Sequence, residues 1–286
     1  MIHSKNELSE PDTIIKTGSS LIQHGSLNDR VYIMKADPAD CTETIQLAKK
    51  LSTEKGYSKI FAKVSLNVLE FFKAEGFQTE AAIGRTPENG GDISFMSLFC
   101  KQWRNAYNDY DQCSSILESI ENRSAKNGKQ LPDGWSMGRC GAEDAEEMAA
   151  LYSVVFQSYP FPIDEPGYIR KTISDGIRYY FVKDSHSRIL ALSSAEFDKL
   201  TDSSEMSDFA TLPDARGKNC AGNLLRFMET ENAPSTTPYT IARAVMAPMN
   251  KVFAHNGYVF GGTLKQNTRI GGQDLEDMNV WYKSFC

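Results

Sequence analysis

The sequence lacks the patterns that staple a fold or load it with metal. Its six cysteines (Cys41, Cys100, Cys113, Cys140, Cys220 and Cys286) form no C-x-x-C pair, and its four histidines are equally dispersed. A disulfide framework and a zinc site are therefore not expected, and no metal is assigned. No stretch approaches the roughly 18 uninterrupted apolar residues of a membrane span. The first twenty residues also have no apolar core before a cleavage site, so the reading is a soluble, cytoplasmic chain with no membrane partner. Surplus positive charge is missing too: 31 Lys and Arg stand against 37 Asp and Glu, a net charge of -6. That argues against a nucleic-acid partner, although a local basic pocket can sit on an acidic protein. Small molecules remain the favoured partners.

What is present is a globular α/β composition, with 41% hydrophobic and 24% charged residues in 286, enough for one large or two ordinary domains. Residues 1–18 read as a tail, and 19–100 alternate strand and helix: "RVYIMK", "CTETIQLAKKLSTEKGY", "KIFAKV", "LNVLEFFKAEGF", "QTEAAI", "ISFMSLF". Residues 101–134 read as a linker helix and a Gly, Pro and Asn-containing loop. From 135 to 286 the order is strand "WSMGR", helix "AEDAEEMAALYSVVFQ", loop "YPFPI" and a short helix. Three strands follow ("IRYYFVK", "RILALSSAEF", "EMSDFATL"), then a loop and helix, "YTIARAV", helix "PMNKVFAHNGY", "VFGGTL" and "MNVWYKS". Both halves place a helix end, a Gly and an aromatic before a strand ("FFKAEGFQTEAAI", "VFAHNGYVFGGTL"), an internal repeat closed each time by a glycine cap.

The stretch "TLPDARGKNCAGNLLRFMETE", residues 211–231, puts Arg216, Gly217 and Lys218 ahead of a helix whose Ala221, Leu224, Leu225 and Met228 share one face. Free amides at a helix start carry partial positive charge, and a glycine lets the backbone approach a phosphate. A Walker loop is excluded because Leu212 stands five before Gly217 and Asn219 replaces the hydroxyl residue. A dinucleotide fingerprint is excluded because two of its three glycines are missing. An ordinary strand-to-helix connection with solvated cations is the plain alternative.

"RGKNCA" resembles the Q/R-x-x-G-x-G/A loop of the GNAT superfamily of N-acetyltransferases, with Arg216 at its first position, Ala221 at its last, and Asn219 where a glycine is usual. Asparagine tolerates left-handed backbone better than other non-glycine residues, though its side chain can crowd a phosphate. The strand order is similar to that superfamily, and "YPFPI", "DFATLP", "TIARA", "GGTL" and "MNVWYK" resemble its β-lysine N-acetyltransferase family, as do "NDRVYIMK" and "KIFAKV". The resemblance implies tandem GNAT-like domains with a mixed, mostly antiparallel sheet flanked by helices, the C-terminal domain catalytic and the N-terminal one degenerate. It implies acetyl-coenzyme A as cosubstrate and β-lysine as the acceptor, acetylated on its terminal amine to give a compatible solute. An acetyltransferase for another small amine, and a coenzyme A-binding module without turnover, stay open; so does a homodimer.

The resemblance also places site residues. The loop Arg216, Gly217, Lys218, Asn219, Cys220 and Ala221, with backbone near Phe209, Ala210 and Thr211, would hold the cofactor, and Asn250 would contact it unless it is a helix cap. An amine with a pKa of about 10.4 must lose a proton before it attacks a thioester. Glu205 falls where relatives place a catalytic glutamate, or is a surface acid at the strand start. Asp208 is either a base or a partner for a second ammonium, and strict alternation puts it on the face opposite Glu205. Glu196 on the preceding strand is a further acidic candidate. Arg243 sits among apolar neighbours, as a carboxylate clamp or as half of an internal salt bridge. Tyr159 and Phe161 either wall the acceptor pocket or form a rigid connector. Phe253 occupies the position where relatives carry a tyrosine acid, so no general acid is assigned.

Overall fold

The computed structural model describes residues 12–84, 93–121, 129–156, 159–231, 236–270 and 274–283. The first half runs β1 (Thr13–Thr17), β2 (Ser20–Gly25), β3 (Arg30–Lys35), α1 (Cys41–Lys55), β4 (Lys59–Ser65), α2 (Leu69–Ala74), β5 (Gln78–Ile83), β6 (Ile93–Phe99) and α3 (Tyr110–Glu121). The second runs β7 (Ser136–Arg139), α4 (Ala145–Val155), α5 (Pro166–Ser174), β8 (Arg178–Lys183), β9 (Ile189–Asp198), β10 (Ser203–Thr211), α6 (Cys220–Glu231), β11 (Thr237–Arg243), α7 (Ala247–His255), β12 (Val259–Thr268) and β13 (Glu276–Tyr282). Thr13–Thr17, read as part of a tail, is instead an edge strand folded onto β2 by the left-handed Gly18. Its mostly exposed side chains leave no alternation to read.

The thirteen strands of the described residues form one sheet in the order β1-β2-β3-β4-β6-β5-β12-β13-β11-β10-β9-β8-β7. Moving outward from the β5–β12 joint, each side presents a strand, an antiparallel partner, and then a parallel pair, β4 with β3 and β11 with β10. Each parallel pair is crossed by a helix, α1 or α6, as a right-handed connection requires. Helices α1 and α2 bury Cys41, Ile45, Ala48 and Phe72 against Ile33, Ile60 and Ala62. On the same terms α6 buries Leu224, Leu225 and Met228 against Ala191, Ala195 and Met206. Each large apolar side chain among them, such as Phe72 or Leu224, contributes about 1.5–3 kcal/mol. Cys220, at the start of α6, is fully buried, while Ala221, expected on the buried face, is only half-buried.

The opposite sheet face joins the halves. Tyr32, Phe61, Ile83 and Phe95 pack with Tyr239, Leu264, Met278 and Val280 in one apolar cluster. The strand joint is a single pairing, Ala81 with Gly262. Gly262 has φ +135, and a Cβ there would lie 2.4 Å from the Glu80 carbonyl oxygen and 2.8 Å from the Ala81 Cα. Backbone cannot yield that much locally, so Gly262→Ala is expected to lower stability by roughly 2 kcal/mol or more. A thermal melt checks this; an unchanged Tm would mean that the joint flexes.

Candidate active site

The site grows from an irregularity in β10. Against β9 it pairs Glu205 with Glu196, Met206 with Ala195 and Ser207 with Ser194, and then the register shifts before Ala210 meets Leu192. Asp208 sits in that bulge with φ +54, a geometry that asparagine and aspartate tolerate best. The extra residue carries Asp208 round to the side of Glu205, correcting the opposite-face expectation. Ser194 Oγ lies 3.0 Å from Ser207 Oγ and donates to Asp208 Oδ2 at 2.7 Å. On its other edge β10 pairs with β11 only from Ser203–Thr237 to Glu205–Tyr239. Both strands continue beyond that point, and among the described residues the register gives Ser207–Thr211 no facing residue on β11, so the sheet opens.

The face beside this opening is acidic. Glu196 and Asp198 share a face of β9, and Glu205 stands beside Glu196. The Tyr239 hydroxyl donates to Glu205 Oε2 at 2.9 Å, and Tyr159 donates to Asp208 Oδ1. Burial, reinforced by the Glu196 charge and opposed by Lys63 and Tyr239, pushes the Glu205 carboxyl up to about 7. Burial likewise raises Asp208, against the hydrogen bonds from Tyr159 and Ser194. Glu196 is raised by burial and by Asp208, although its side chain reaches solvent at the rim. Burial also opposes ionisation of Asp198, yet the Lys63 ammonium at 2.9 Å holds that carboxyl below its usual range.

Lys63 comes from β4, so the first half reaches into this face, and Tyr32 of β3 stands there too: after burial, Glu205 is the largest influence raising its phenol. Neither residue was a sequence candidate, and neither were Ser194 and Tyr239. A lysine inside "KIFAKV" carries no local mark of its partner 135 positions away; only the period-2 alternation, which sets Phe61 and Lys63 on one face, hints at it. Phe161 stacks on Tyr168 with ring centroids 6.4 Å apart, in the cluster that covers Leu192 and Ala210. Tyr159 thus meets the acid face directly, and Phe161 supports the wall behind it.

Beyond Thr211 a single helical turn, Pro213–Ala215, leads to the loop. Gly217 has φ +77 and Asn219 φ +59. Two left-handed residues in three bend the chain sharply ahead of α6, with the Arg216 and Lys218 amides donating back to the Pro213 and Ala215 carbonyls at 3.3 and 3.4 Å; alternation of this kind is a disposition suited to an anion. Space beside Gly217 is open, since an added Cβ would meet nothing within 4 Å. Arg216 and Lys218 are exposed. The Asn219 amide is turned aside, donating to the Lys129 carbonyl at 2.8 Å, and Asn223 donates to the same oxygen at 3.0 Å. These features fit a diphosphate. Cys220 is a structural residue here: buried, its thiol pushed up to about 11 by desolvation.

Two expected contacts give way. The Asn250 side chain is fully buried, donating to the carbonyls of Arg243 and Met246 at 2.9 and 3.0 Å and accepting from Asn279 and Trp281 at 2.9 and 2.8 Å. With donors and acceptor consumed it pins α7 to β11 and β13, and has nothing left for a cofactor. The Arg243 guanidinium forms a bidentate pair with Glu276 at 2.7 and 2.6 Å. That internal partner explains its presence among apolar neighbours and takes the fork a carboxylate clamp would need. Phe253 and Tyr258 are buried core, with ring centroids 5.4 Å apart. Among the described residues no group of His, Cys, Asp and Glu is disposed to hold a metal ion, and no helix is long and apolar enough to cross a membrane.

No protein-family model matches the chain. It is 35% identical over 274 residues to the β-lysine N(6)-acetyltransferase of Methanococcus maripaludis, an alignment covering 95% of this chain and 98% of that protein. It is 28% identical over 272 residues to the N-acetyltransferase YodP of Bacillus subtilis, covering 93% and 96%. Among solved structures, a spermidine N-acetyltransferase SpeG mutant from Vibrio cholerae aligns with a TM-score of 0.45 at 17% identity, over 53% of this chain and 94% of its own. The class these relatives define is the N-acetyltransferases. Within it, by near full-length identity, the chain belongs to the β-lysine N(6)-acetyltransferase family.

Proposed function

We propose that this chain transfers the acetyl group of acetyl-coenzyme A to the terminal amine of β-lysine. The observation that carries the reading is the opening of β10 from β11 just past Glu205, in line with the loop Arg216–Ala221. Loop amides with Arg216 and Lys218 would hold the diphosphate, and the free edge of Phe209–Thr211 would bond the pantetheine arm and the acyl oxygen. The bound cosubstrate supplies an acetyl group activated as a thioester.

Glu205 acts as general base. Its Oε2 is fixed by Tyr239, while Oε1 meets no protein donor among the described residues and is left to take the ammonium proton. A carboxylate ionising near 7 is matched to that task. Asp208 is a positioning residue, since Tyr159 and Ser194 occupy both of its oxygens and lock the bulge. The first half is read as a degenerate copy of the second. Where the second half has a cationic loop, the first has Ala36–Asp40, closed by the Asp40 carboxylate bonding the Ser19 amide and Ser20 hydroxyl. Its task is to wall the acceptor pocket with Tyr32 and Lys63. Acetylation removes one positive charge and leaves a neutral zwitterion, which suits a compatible solute kept in the cytoplasm.

The loop assignment is tested by the double variant Arg216→Ala, Lys218→Ala. Charge-assisted bonds to phosphate contribute about 1.5–3 kcal/mol each, so losing two is expected to raise KM for acetyl-coenzyme A roughly 10²- to 10⁴-fold, with a smaller change in kcat. An unchanged KM would place the cofactor elsewhere.

A further inference from the structure

We propose that Lys63 and Asp198, an ion pair built across the two halves, read the zwitterionic end of the acceptor; this rests on the β-lysine reading above. The pair lies at the far end of the acid face. Asp198 is two residues beyond Glu196, which stands beside Glu205, and that spacing along a strand is about 6–7 Å. The two nitrogens of β-lysine are joined by a chain of four carbons, a comparable reach when extended. With the terminal amine at Glu205, the second ammonium therefore arrives at Asp198, and the carboxylate one carbon further out arrives at Lys63.

The charges of the site require such an arrangement. Glu196, Asp198, Glu205 and Asp208 all attract the ammonium groups and repel the carboxylate. Lys63 is the cation that the first half lays against this face, 2.9 Å from Asp198 and 6.0 Å from the centroid of the Tyr239 ring. Arg243 is taken by Glu276, and Arg30 is buried against the Tyr32 and Phe61 rings, donating to the Asn267 carbonyl at 2.6 Å. Lys63 and Asp198 keep 12% and 16% of their side-chain surface open. An ammonium has three donors and a carboxylate about four acceptor sites, so each can hold its partner and a ligand group together. Protein pair and zwitterion then alternate in sign around a four-charge ring. Discrimination resides in Lys63, a residue outside the half that holds the cofactor loop.

The test compares kcat and KM for β-lysine, 1,4-diaminobutane (no carboxylate) and 6-aminohexanoate (no second ammonium) in wild type, Lys63→Gln, Lys63→Arg and Asp198→Asn, with acetyl-coenzyme A affinity measured for each. In Lys63→Gln, KM for β-lysine should rise roughly tenfold or more relative to that for the diamine, the worth of a charge-assisted contact, while any change in kcat, measured above pH 8 where Glu205 stays ionised, is shared by both substrates. Lys63→Arg should restore most of the loss, and Asp198→Asn should abolish the preference for β-lysine over 6-aminohexanoate. Equal losses for β-lysine and the diamine in Lys63→Gln, or no loss for either, would overturn the pairing while leaving the acetyltransferase reading intact. A wild type that acetylates the diamine but not β-lysine would instead overturn the acceptor assignment, and the pairing with it. Should Lys63→Gln fail to fold, the Asp198→Asn preference decides alone.

Discussion

Glu205→Gln is expected to lower kcat roughly 10²- to 10⁴-fold, the range a positioned general base supplies, with little change in acetyl-coenzyme A affinity. The glutamine keeps the Tyr239 hydrogen bond and the shape of the side chain but cannot accept the ammonium proton. The pH profile separates this from a structural loss. Wild-type activity should fall as pH drops through about 7, where Glu205 becomes protonated; the residual activity of the variant should lack that limb. Stability should move the other way. A carboxyl whose folded pKa is raised from 4.5 to about 7 binds its proton more tightly in the native state. Its contribution therefore weakens as pH climbs through that window, and the full penalty is present above 7. Glu205→Gln removes the penalty, so the variant should be more stable at pH 8, by an amount on the order of 2 kcal/mol, and nearly unchanged at pH 4. An unaltered pH–rate profile would transfer the role of base to another group.

Glu80→Ala is expected to destabilise the whole chain by about 3–5 kcal/mol, because it strands a buried charge. Lys59 and Glu80 lie 2.7 Å apart with side chains 0% and 3% exposed. Glu80 also accepts from the Lys265 amide at 2.8 Å and from the Ser97 hydroxyl, while Lys59 donates to the Lys265 carbonyl at 2.7 Å. Arg104, wholly buried, donates to the Gln266 carbonyl at 2.8 Å and the Asn28 carbonyl at 2.9 Å. The end of β12 is thus wired into the first half through charge, beside the single strand pairing at Gly262. Burial pushes Lys59 down to about 8, with Glu80 resisting. In the variant that resistance is gone, so the loss should be larger at pH 6, where an unpaired ammonium must be buried, than at pH 10, where the lysine is already neutral. Denaturant unfolding at the two pH values measures both terms. A loss under about 1 kcal/mol at pH 6 would show that this pair does not anchor the end of β12. The double variant Lys59→Met, Glu80→Met, which removes both charges, should recover much of the stability.

These residues mark where sequence reasoning reaches and where it stops. The order of helices and strands in the second half was legible because glycines and prolines punctuate them, and Arg216–Ala221 stood out as a candidate because its cations and glycine fall within six consecutive residues. Glu205 stood out as a candidate for a related reason: an acid in an apolar strand needs a local cause. The bulge at Asp208 was not, because the register shift depends on which β9 residues it faces. Lys59, Lys63 and Arg104 carry no local mark of their surroundings, and their shielding from solvent follows only from a sheet that joins 13 strands of the described residues across both halves. Asn250 failed for the same reason. Its partners Asn279 and Trp281 lie 29 and 31 positions away, and nothing next to it announces them. Arg243 was correctly marked as needing a partner, and the structure supplies Glu276.

The most direct measurement mixes the purified chain with acetyl-coenzyme A and β-lysine, following thiol release while mass spectrometry locates the new acetyl group. One free thiol per acetyl placed on the terminal nitrogen is the expected result. Tight coenzyme binding with no thiol released on adding β-lysine would contradict it.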